Sequence, residues 1–185
     1  MGLIDFQNYK PGNGDGGDNG DGGDGFDDNK DDRGTPDDLF RALNARFQFT
    51  VDAAAAPHNA KLDRYWTIDD SGLDKDWTGE RVWCNPPYSN VRPWVEKQLE
   101  QRADVSVILI PANRTDQKFW QDLVEPRRGR NGFWVEFLRG RPRFKFPPGD
   151  PRRDGPSPGS PFGCVLLIAL GGRALYEHDR QCDLF

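Results

Sequence analysis

The sequence predicts an α/β domain in which helices cover both faces of a mixed, mostly parallel β-sheet. The apolar runs at residues 105–110 and 164–170 have the length and the aliphatic composition of buried strands. Residues 39–47 place apolar side chains at helical spacing. Strand-like and helix-like segments alternate along the chain, which favours a sheet whose strands are joined by helices.

Residues 1–33 and residues 34–185 differ in composition and are predicted to form separate parts of the protein. The first part is largely Gly, Asp and Asn, and its nine Asp residues against three basic residues give it a net charge of −6. Such a segment buries too little apolar surface to offset the entropy of ordering, so we expect a disordered acidic tail. The second part carries a net charge of +1 and is long enough for one folded domain.

The composition also excludes several classes of protein. The three cysteines lack CxxC spacing, and the Gly/Asp repeats lack the ligand pattern and terminal Glu of an EF-hand, so neither a disulfide framework nor a metal site is predicted. No apolar run reaches the length of a membrane span, and the N-terminus has no secretory signal pattern. We therefore expect a soluble cytoplasmic monomer that does not contact a membrane.

The first folded segments are predicted to be a helix and a strand. Thr35 as the N-cap, Pro36 at the first helical position and an acidic first turn predict the start of the helix. Residues 47–51 alternate in polarity and lead to Asp52, which predicts the first strand. Asp52 is a candidate ligand contact at the end of this strand, and the alternative is that it caps a following helix. The small residues 53–56 would let a ligand approach the backbone closely.

The later segments continue the same alternation. Residues 68–79 have the composition of a loop at the edge of the sheet, and Asp70 within it is either a ligand contact or a plain turn residue. The remaining elements are predicted as strands at 81–84, 105–110, 133–138 and 164–170, and as helices at 91–99 and 116–124.

The tetrapeptide Asn85-Pro86-Pro87-Tyr88 follows a β-favouring run, so it lies where a strand leaves the sheet. Ligand chemistry in open α/β sheets collects at that edge. The two prolines make the turn rigid and donate no N–H, which leaves carbonyl groups free to accept. An Asn oxygen and a fixed carbonyl suit the two hydrogens of an exocyclic amine, and the Tyr ring suits stacking on a planar base.

In their order along the chain, five segments resemble the phage-type DNA adenine (N-6) methyltransferase (Dam) family: Thr35-Pro36, residues 51–55, Gly72-Leu73 with Trp77, residues 85–88 and residues 140–144. The resemblance covers residues 34–170. It implies a Rossmann-like, S-adenosylmethionine-dependent methyltransferase fold. It also implies catalytic roles for Asn85, Pro86, Pro87 and Tyr88, and cofactor contacts by Thr35, Pro36, Asp52, Ala53, Ala54 and Asp70.

The segment at residues 126–153 is strongly basic, with nine Lys and Arg residues against two acidic residues and with five aromatic residues between them. Cations contact phosphates and aromatic rings wedge between bases, so the segment is predicted to bind nucleic acid. The alternative is a solvated face over core aromatics, which is favoured for Phe133 and Phe137. The predicted nucleic-acid contacts are Arg127, Arg128, Arg130, Arg141, Arg143, Arg152 and Arg153, with Phe162 as either a second stacking face or a packing residue.

These features predict a site-specific enzyme that transfers a methyl group from S-adenosylmethionine to the exocyclic amine of an adenine flipped out of double-stranded DNA. Direct transfer needs neither a metal nor a covalent nucleophile. A phage-encoded enzyme of this kind would act in the host cytoplasm. Alternatives with the same fold are cytosine N-4, RNA and protein-glutamine methylation. The alternative of another class is a non-catalytic DNA-binding module.

Overall fold

The computed structural model describes residues 31–153, 155 and 159–171. The predicted tail up to residue 30 and one of the three cysteines, Cys182, lie outside the described residues. Within the described ranges, no helix is both long enough and apolar enough to cross a membrane.

In the described part of the chain, five strands form one sheet. They are β1 (Val51–Asp52), β2 (Arg81–Cys84), β3 (Val105–Pro111), β4 (Phe133–Phe137) and β5 (Cys164–Leu170). Their order in the sheet is β1-β2-β3-β5-β4. The first three strands pair in parallel, whereas β5 runs antiparallel to both of its neighbours. The mixed α/β class predicted from the sequence is therefore confirmed, with parallel pairing confined to three adjacent strands.

One helix packs on each face of this sheet. Helix α1 (Asp37–Phe47) joins a buried cluster that includes Val107 and Leu109 of β3, and helix α2 (Arg92–Glu100) joins a second cluster that includes Ile108. Alternate residues of a strand point to opposite faces, so β3, which is buried along its whole length, feeds both clusters. The prediction of helices on both faces is confirmed.

Helix α1 begins one residue later than the sequence predicted. Pro36 has a ψ of 138°, outside the helical region, and its carbonyl accepts the Phe40 N–H at 3.0 Å. Pro36 is therefore the N-cap, and the assignment of this position to Thr35 was wrong. Thr35 lies before the helix and is only 2% exposed.

Strand β1 is shorter than predicted because α1 continues through Phe47. The helix ends at Gln48, which adopts a left-handed conformation with φ 52° and donates its N–H to the Asn44 carbonyl at 2.8 Å. The Asn44 side chain then accepts the Phe49 N–H at 2.8 Å. These contacts close the helix C-terminus, so only Val51–Asp52 joins the sheet.

The second predicted helix after β3 is also shorter in the structure. A π-helical turn at Trp120–Val124 is followed directly by a 3₁₀ turn at Glu125–Arg127. Pro126 has no N–H to extend the helical hydrogen bonding, which accounts for the change of geometry at this point. Helix α2, by contrast, lies within one residue of the predicted range 91–99.

The sheet topology brings distant parts of the chain to one edge. The carboxyl ends of β1, β2 and β3 meet there because these strands are parallel. Strand β5 begins at the same edge, since Cys164 lies opposite Pro111 in the antiparallel pairing. The residues that follow Asp52, Cys84 and Pro111 are therefore neighbours of those that precede Cys164.

Candidate active site at the carboxyl edge of the sheet

The NPPY loop, residues 85–88, leaves β2 at the centre of this edge. The Asn85 side-chain N–H₂ donates to the Arg33 carbonyl at 3.2 Å. A carbonyl can only accept, so the amide nitrogen must be the atom that faces it. The other end of the amide, Asn85 Oδ1, is buried and has no hydrogen-bond partner in the described part of the chain. An orphaned buried acceptor is uncommon in a folded protein and marks a position where a donor from a ligand would be stabilised.

A cavity of about 510 Å³ lies beside the NPPY loop. This volume falls within the usual range for small-molecule sites. The lining residues come from five separate parts of the chain: Asp31, Arg33, Asn85, Pro86, Tyr88, Ser89, Arg114, Phe144, Ser160, Pro161 and Phe162.

Three aromatic rings form the apolar part of the cavity wall. The Tyr88 ring centroid lies 6.0 Å from those of both Phe144 and Phe162, at interplanar angles of 83° and 61°. Burial, followed by the neighbouring Cys164 thiol, raises the pKa of the Tyr88 hydroxyl well above its ordinary value, so this group stays neutral. Tyr88 therefore offers an aromatic surface rather than a base.

The NPPY loop is held from outside by two other segments. Residues 31–33, here called the strap, cross it: the Asp31 carboxylate accepts the Ser89 N–H at 3.1 Å, next to the contact between Arg33 and Asn85. On the other side, Arg114 Nη2 donates to the Tyr88 carbonyl at 3.3 Å. The composition assigned the strap to the acidic tail, whereas the structure places it against the site.

The predicted cofactor residue Asp52 is buried at the end of β1, with 3% of its surface exposed. Its carboxylate accepts the backbone N–H groups of Lys61 at 3.1 Å and of Ala54 at 3.4 Å. Burial outweighs these hydrogen bonds and raises the pKa of Asp52 from 3.8 to about 6. The residues between β1 and β2, all of which the structure describes, form no helix, so the helix-cap alternative is wrong.

The other residues predicted on the side of β1 are covered by protein or lie at the surface. Ala53 is fully buried beneath Gly72, where an added Cβ would lie 2.2 Å from the Ala53 carbonyl oxygen. Thr35 and Pro36 are also buried. Asp70 is exposed and forms an ion pair with Lys75. Ala54 is half-buried, and none of the predicted cofactor residues lines the described cavity.

The structure thus brings together only part of the predicted site. Of the predicted residues, Asn85, Pro86, Tyr88 and Phe162 line the cavity, and Pro87 lies in the same loop. Sequence reasoning did not single out Asp31, Arg33, Arg114, Ser160 or Pro161 for the site. A signal for Arg114 was present, because it follows the apolar run of β3 by three residues and so had to lie at the carboxyl edge.

The cavity combines charged groups, which suit a zwitterionic cofactor, with an aromatic wall, which suits a planar base. The Asp31 carboxylate accepts the Ser89 N–H next to Tyr88, and the Arg33 guanidinium lies over the Phe146 ring at 5.0 Å. Burial raises the pKa of the Cys84 thiol well above its ordinary value, and the charge of Asp52 adds to this effect. Cys84 is therefore a thiol rather than a nucleophilic thiolate. In the described part of the chain, no group of three or more His, Cys, Asp or Glu residues could hold a metal.

Most of the predicted nucleic-acid contacts lie outside the cavity, on exposed surface. Arg127 is the exception, because its guanidinium donates to the carbonyls of Asp122 and Leu123 at the end of the π-helical turn. Arg128 lies near Glu125, at 3.6 Å, and over the ring of Phe137. Arg152 pairs with Asp150 at 2.7 Å. The exposed members of the predicted set are Arg128, Arg130, Arg141, Arg143, Arg152 and Arg153.

Comparison with known proteins identifies the family. The model of the DNA N-6-adenine-methyltransferase (Dam) family matches residues 24–156, which is most of the chain. The chain therefore belongs to the DNA N-6-adenine-methyltransferase (Dam) family, as the order of its motifs predicted.

Two phage proteins are among its curated relatives. The DNA N-6-adenine-methyltransferase of Haemophilus phage HP1 (strain HP1c1) is 36% identical over 75 residues, covering 40% of this chain and 43% of the phage protein. The DNA N-6-adenine-methyltransferase of Escherichia phage T1 is 30% identical over 89 residues, covering 46% of this chain and 37% of the phage protein. The chain thus spans about two fifths of the length of these curated relatives.

Proposed function

We propose that this protein is an S-adenosylmethionine-dependent DNA methyltransferase that modifies the N-6 amine of an adenine flipped out of double-stranded DNA. The observation that carries the proposal is the orphaned, buried Asn85 Oδ1 beside an aromatic cavity. Its direction is fixed because the Arg33 carbonyl holds the other end of the amide. Membership of the Dam family and the names of the phage relatives support adenine as the target.

The NPPY loop offers two acceptors for the two hydrogens of the amine. Among the described residues, no backbone N–H donates to the Pro86 carbonyl, whereas the Pro87 carbonyl accepts the Asn90 N–H at 3.2 Å. Asn85 Oδ1 and the Pro86 carbonyl would therefore each accept one hydrogen. These bonds draw the nitrogen lone pair out of conjugation with the ring, which makes the amine nucleophilic. Acceptors that are already in place stabilise the developing charge without reorganising.

The base would be held by the aromatic wall. Tyr88 and Phe162 line the cavity next to Asn85, and stacking on aromatic faces is the usual way in which a flipped base is held. Phe144 lies against the edge of Tyr88 and limits its movement. Buried aromatic pairs of this kind contribute about 0.5–1.5 kcal/mol beyond their buried area.

Bound S-adenosylmethionine would supply the methyl group on its sulfonium. Asp31 and Arg33 are the cavity residues whose charges complement its ammonium and carboxylate groups. Thr35, Pro36, Asp52, Ala53, Ala54 and Asp70 remain the proposed cofactor contacts, on the side of β1. Because Gly72 covers Ala53, a cofactor contact at Ala53 would require the backbone at Gly72 to move.

The rest of the proposal concerns the organisation of the chain. The sheet order and the two helix layers are consistent with a Rossmann-like methyltransferase domain. An acidic tail is proposed to precede this domain, and the contacts of the strap with Asn85 and Ser89 support including residues 31–33 in the domain. The exposed cations of the basic segment would contact the phosphates of a duplex on either side of the cavity.

A methyl-transfer assay tests the function. The protein is incubated with methyl-labelled S-adenosylmethionine and unmethylated duplex DNA, and the DNA is digested to nucleosides. Label in N-6-methyladenine is the expected result. Label in cytosine, or label in RNA or protein when these are offered, would keep the fold and replace the substrate. The absence of both transfer and cofactor binding would leave a non-catalytic DNA-binding module.

A further inference from the structure

We propose that Arg114 binds the backbone phosphate of the flipped nucleotide, a role that rests on the proposed function. Arg114 ends the 3₁₀ turn Ala112–Arg114, which follows β3 directly. It is half-buried, lines the cavity and lies outside the basic segment at residues 126–153.

No carboxylate among the residues that the structure describes forms an ion pair with Arg114. Its one hydrogen bond among the described residues goes from Nη2 to the Tyr88 carbonyl, at 3.3 Å. A guanidinium carries five N–H donors, so most of its donor capacity is not used. A half-buried cation without a counter-ion is costly, and an anionic ligand would relieve that cost. By comparison, Arg64 and Arg92 are paired with Glu80 at 2.6 Å and Glu96 at 2.8 Å.

The order of the strands places this cation on the side of the base. Strand β2, which carries Asn85, lies between β1 and β3. The residues proposed for the cofactor follow β1 or lie in the strap, whereas Arg114 follows β3 and Phe162 precedes β5. Arg114 and Phe162 therefore share one side of Asn85, and the cofactor's carboxylate is expected on the other.

A phosphodiester is the anion that must be present on that side. A flipped base stays joined to its sugar and phosphate, which continue into the duplex at the mouth of the cavity. The guanidinium geometry suits two oxygens of one phosphate. Because Arg114 also holds the Tyr88 carbonyl, binding of the phosphate would tie the backbone of the target nucleotide directly to the loop that receives its base.

The test compares Arg114→Gln, Arg114→Lys and the control Arg64→Gln with the wild-type protein. The Arg64 guanidinium pairs with Glu80, immediately before β2, so this side chain extends towards the opposite edge of the sheet. Binding of a fluorescent duplex is measured over a range of salt concentrations, binding of S-adenosylhomocysteine is measured by calorimetry, and methyl transfer is measured with labelled S-adenosylmethionine. Circular dichroism melting confirms that each variant is folded, and Arg114→Lys keeps the charge if Arg114→Gln does not fold.

We expect Arg114→Gln to raise the Kd for the duplex about tenfold and to lower the slope of log Kd against log salt by about one. Arg114→Lys should keep the slope and lose less affinity, because it keeps the charge without the planar fork. Arg64→Gln and the binding of S-adenosylhomocysteine should not change.

Three results would overturn the assignment. Unchanged duplex binding with weaker S-adenosylhomocysteine binding would make the cofactor's carboxylate the ligand. Unchanged binding of both, with slower methyl transfer, would reduce Arg114 to a residue that positions Tyr88. If the wild-type protein itself failed to bind duplex DNA, the proposed function would be wrong, and this assignment would be lost with it.

Discussion

The two sides of the NPPY loop differ in how much space they leave for a ligand. On the side of β1, Ala53 is fully buried beneath Gly72, and the Asp52 carboxylate is already bonded to two backbone N–H groups. On the side of β3 and β5, Arg114 and Phe162 line a cavity of about 510 Å³. A ligand on the closed side requires packed protein to move, whereas a ligand on the open side meets walls that already exist.

This difference shows that strand ends at one edge of a sheet are not equivalent. The topology delivers the ends of β1, β2 and β3 to the same edge, but local packing decides which end faces open volume. On the closed side, most groups are buried and packed against protein. On the open side, Asn85 Oδ1 and most of the N–H groups of Arg114 have no partner among the described residues. Changes on the closed side should therefore alter stability, and changes on the open side should alter activity or DNA binding.

The largest effect is expected on the open side. Asn85→Ala removes the acceptor for the amine and should slow methyl transfer about 10²–10³-fold, by analogy with the loss of one preorganised transition-state contact. Single-turnover transfer is the measurement, with S-adenosylhomocysteine binding as a check on folding. Asn90→Ala, which changes an exposed side chain just beyond the loop, is the control. Wild-type turnover in Asn85→Ala would exclude the proposed role of this residue.

On the closed side, Asp52 should make stability depend on pH. Its folded pKa, about 6, exceeds the ordinary value of 3.8. The native protein therefore binds the Asp52 proton more tightly than the unfolded chain does, so protonation of Asp52 stabilises the folded state. This stabilisation is lost as pH rises from about 4 to about 6. Relative to Asp52→Asn, wild-type stability should fall by about 2–3 kcal/mol over that interval.

Urea unfolding at a series of pH values measures this difference. Asp37→Asn is the matched control, because Lys145 and then Lys61 lower the pKa of Asp37 to about 2. The ionised Asp37 carboxylate stabilises the folded state, and this stabilisation is lost only as pH falls below about 4. That range lies outside the pH interval in which Asp52 titrates. Parallel pH profiles for wild type and Asp52→Asn would show that burial does not shift the pKa of Asp52.

Gly72→Ala tests the closure of the β1 side directly. The new Cβ would lie 2.2 Å from the Ala53 carbonyl oxygen, and this backbone atom cannot move aside easily. A loss of about 1–3 kcal/mol in the free energy of unfolding is expected from such overpacking. Gly163→Ala, whose new Cβ would lie 3.8 Å from its nearest neighbour, should cost much less. Equal stability of the two variants would mean that the β1 side is looser than the structure shows.

The smallest effect is expected among the exposed cations. Arg130→Gln removes an exposed charge and should weaken duplex binding about two- to threefold, with a lower salt slope. Arg127→Gln should instead reduce stability by about 1 kcal/mol with little change in the salt slope, because its guanidinium holds two backbone carbonyls. Salt-dependent binding and urea unfolding distinguish the two. The same response in both variants would contradict the distinction between half-buried Arg127, which bonds to backbone carbonyls, and exposed Arg130.

The errors in the sequence predictions have local causes. The pattern at residues 47–51 is compatible with a helix end and with a strand. In the structure the Asn44 side chain accepts the Phe49 N–H, and this contact closes the helix end. The strap has the composition of the tail, yet its contact with Asn85 uses a backbone carbonyl, which composition does not reveal. Arg114 carries no motif, and its importance depends on the place where β3 ends.

By itself, the sequence determined the mixed α/β class, the position of the NPPY loop after a buried strand and membership of the Dam family. These features depend on local periodicity, on the rigidity of proline and on the order of motifs, all of which are written along the chain. The tertiary structure alone decided that Arg33 orients Asn85, that Gly72 closes the β1 side and that Arg114 and Phe162 line the cavity. Each of these contacts joins segments that are distant in sequence, and it exists only because the sheet brings their ends to one edge.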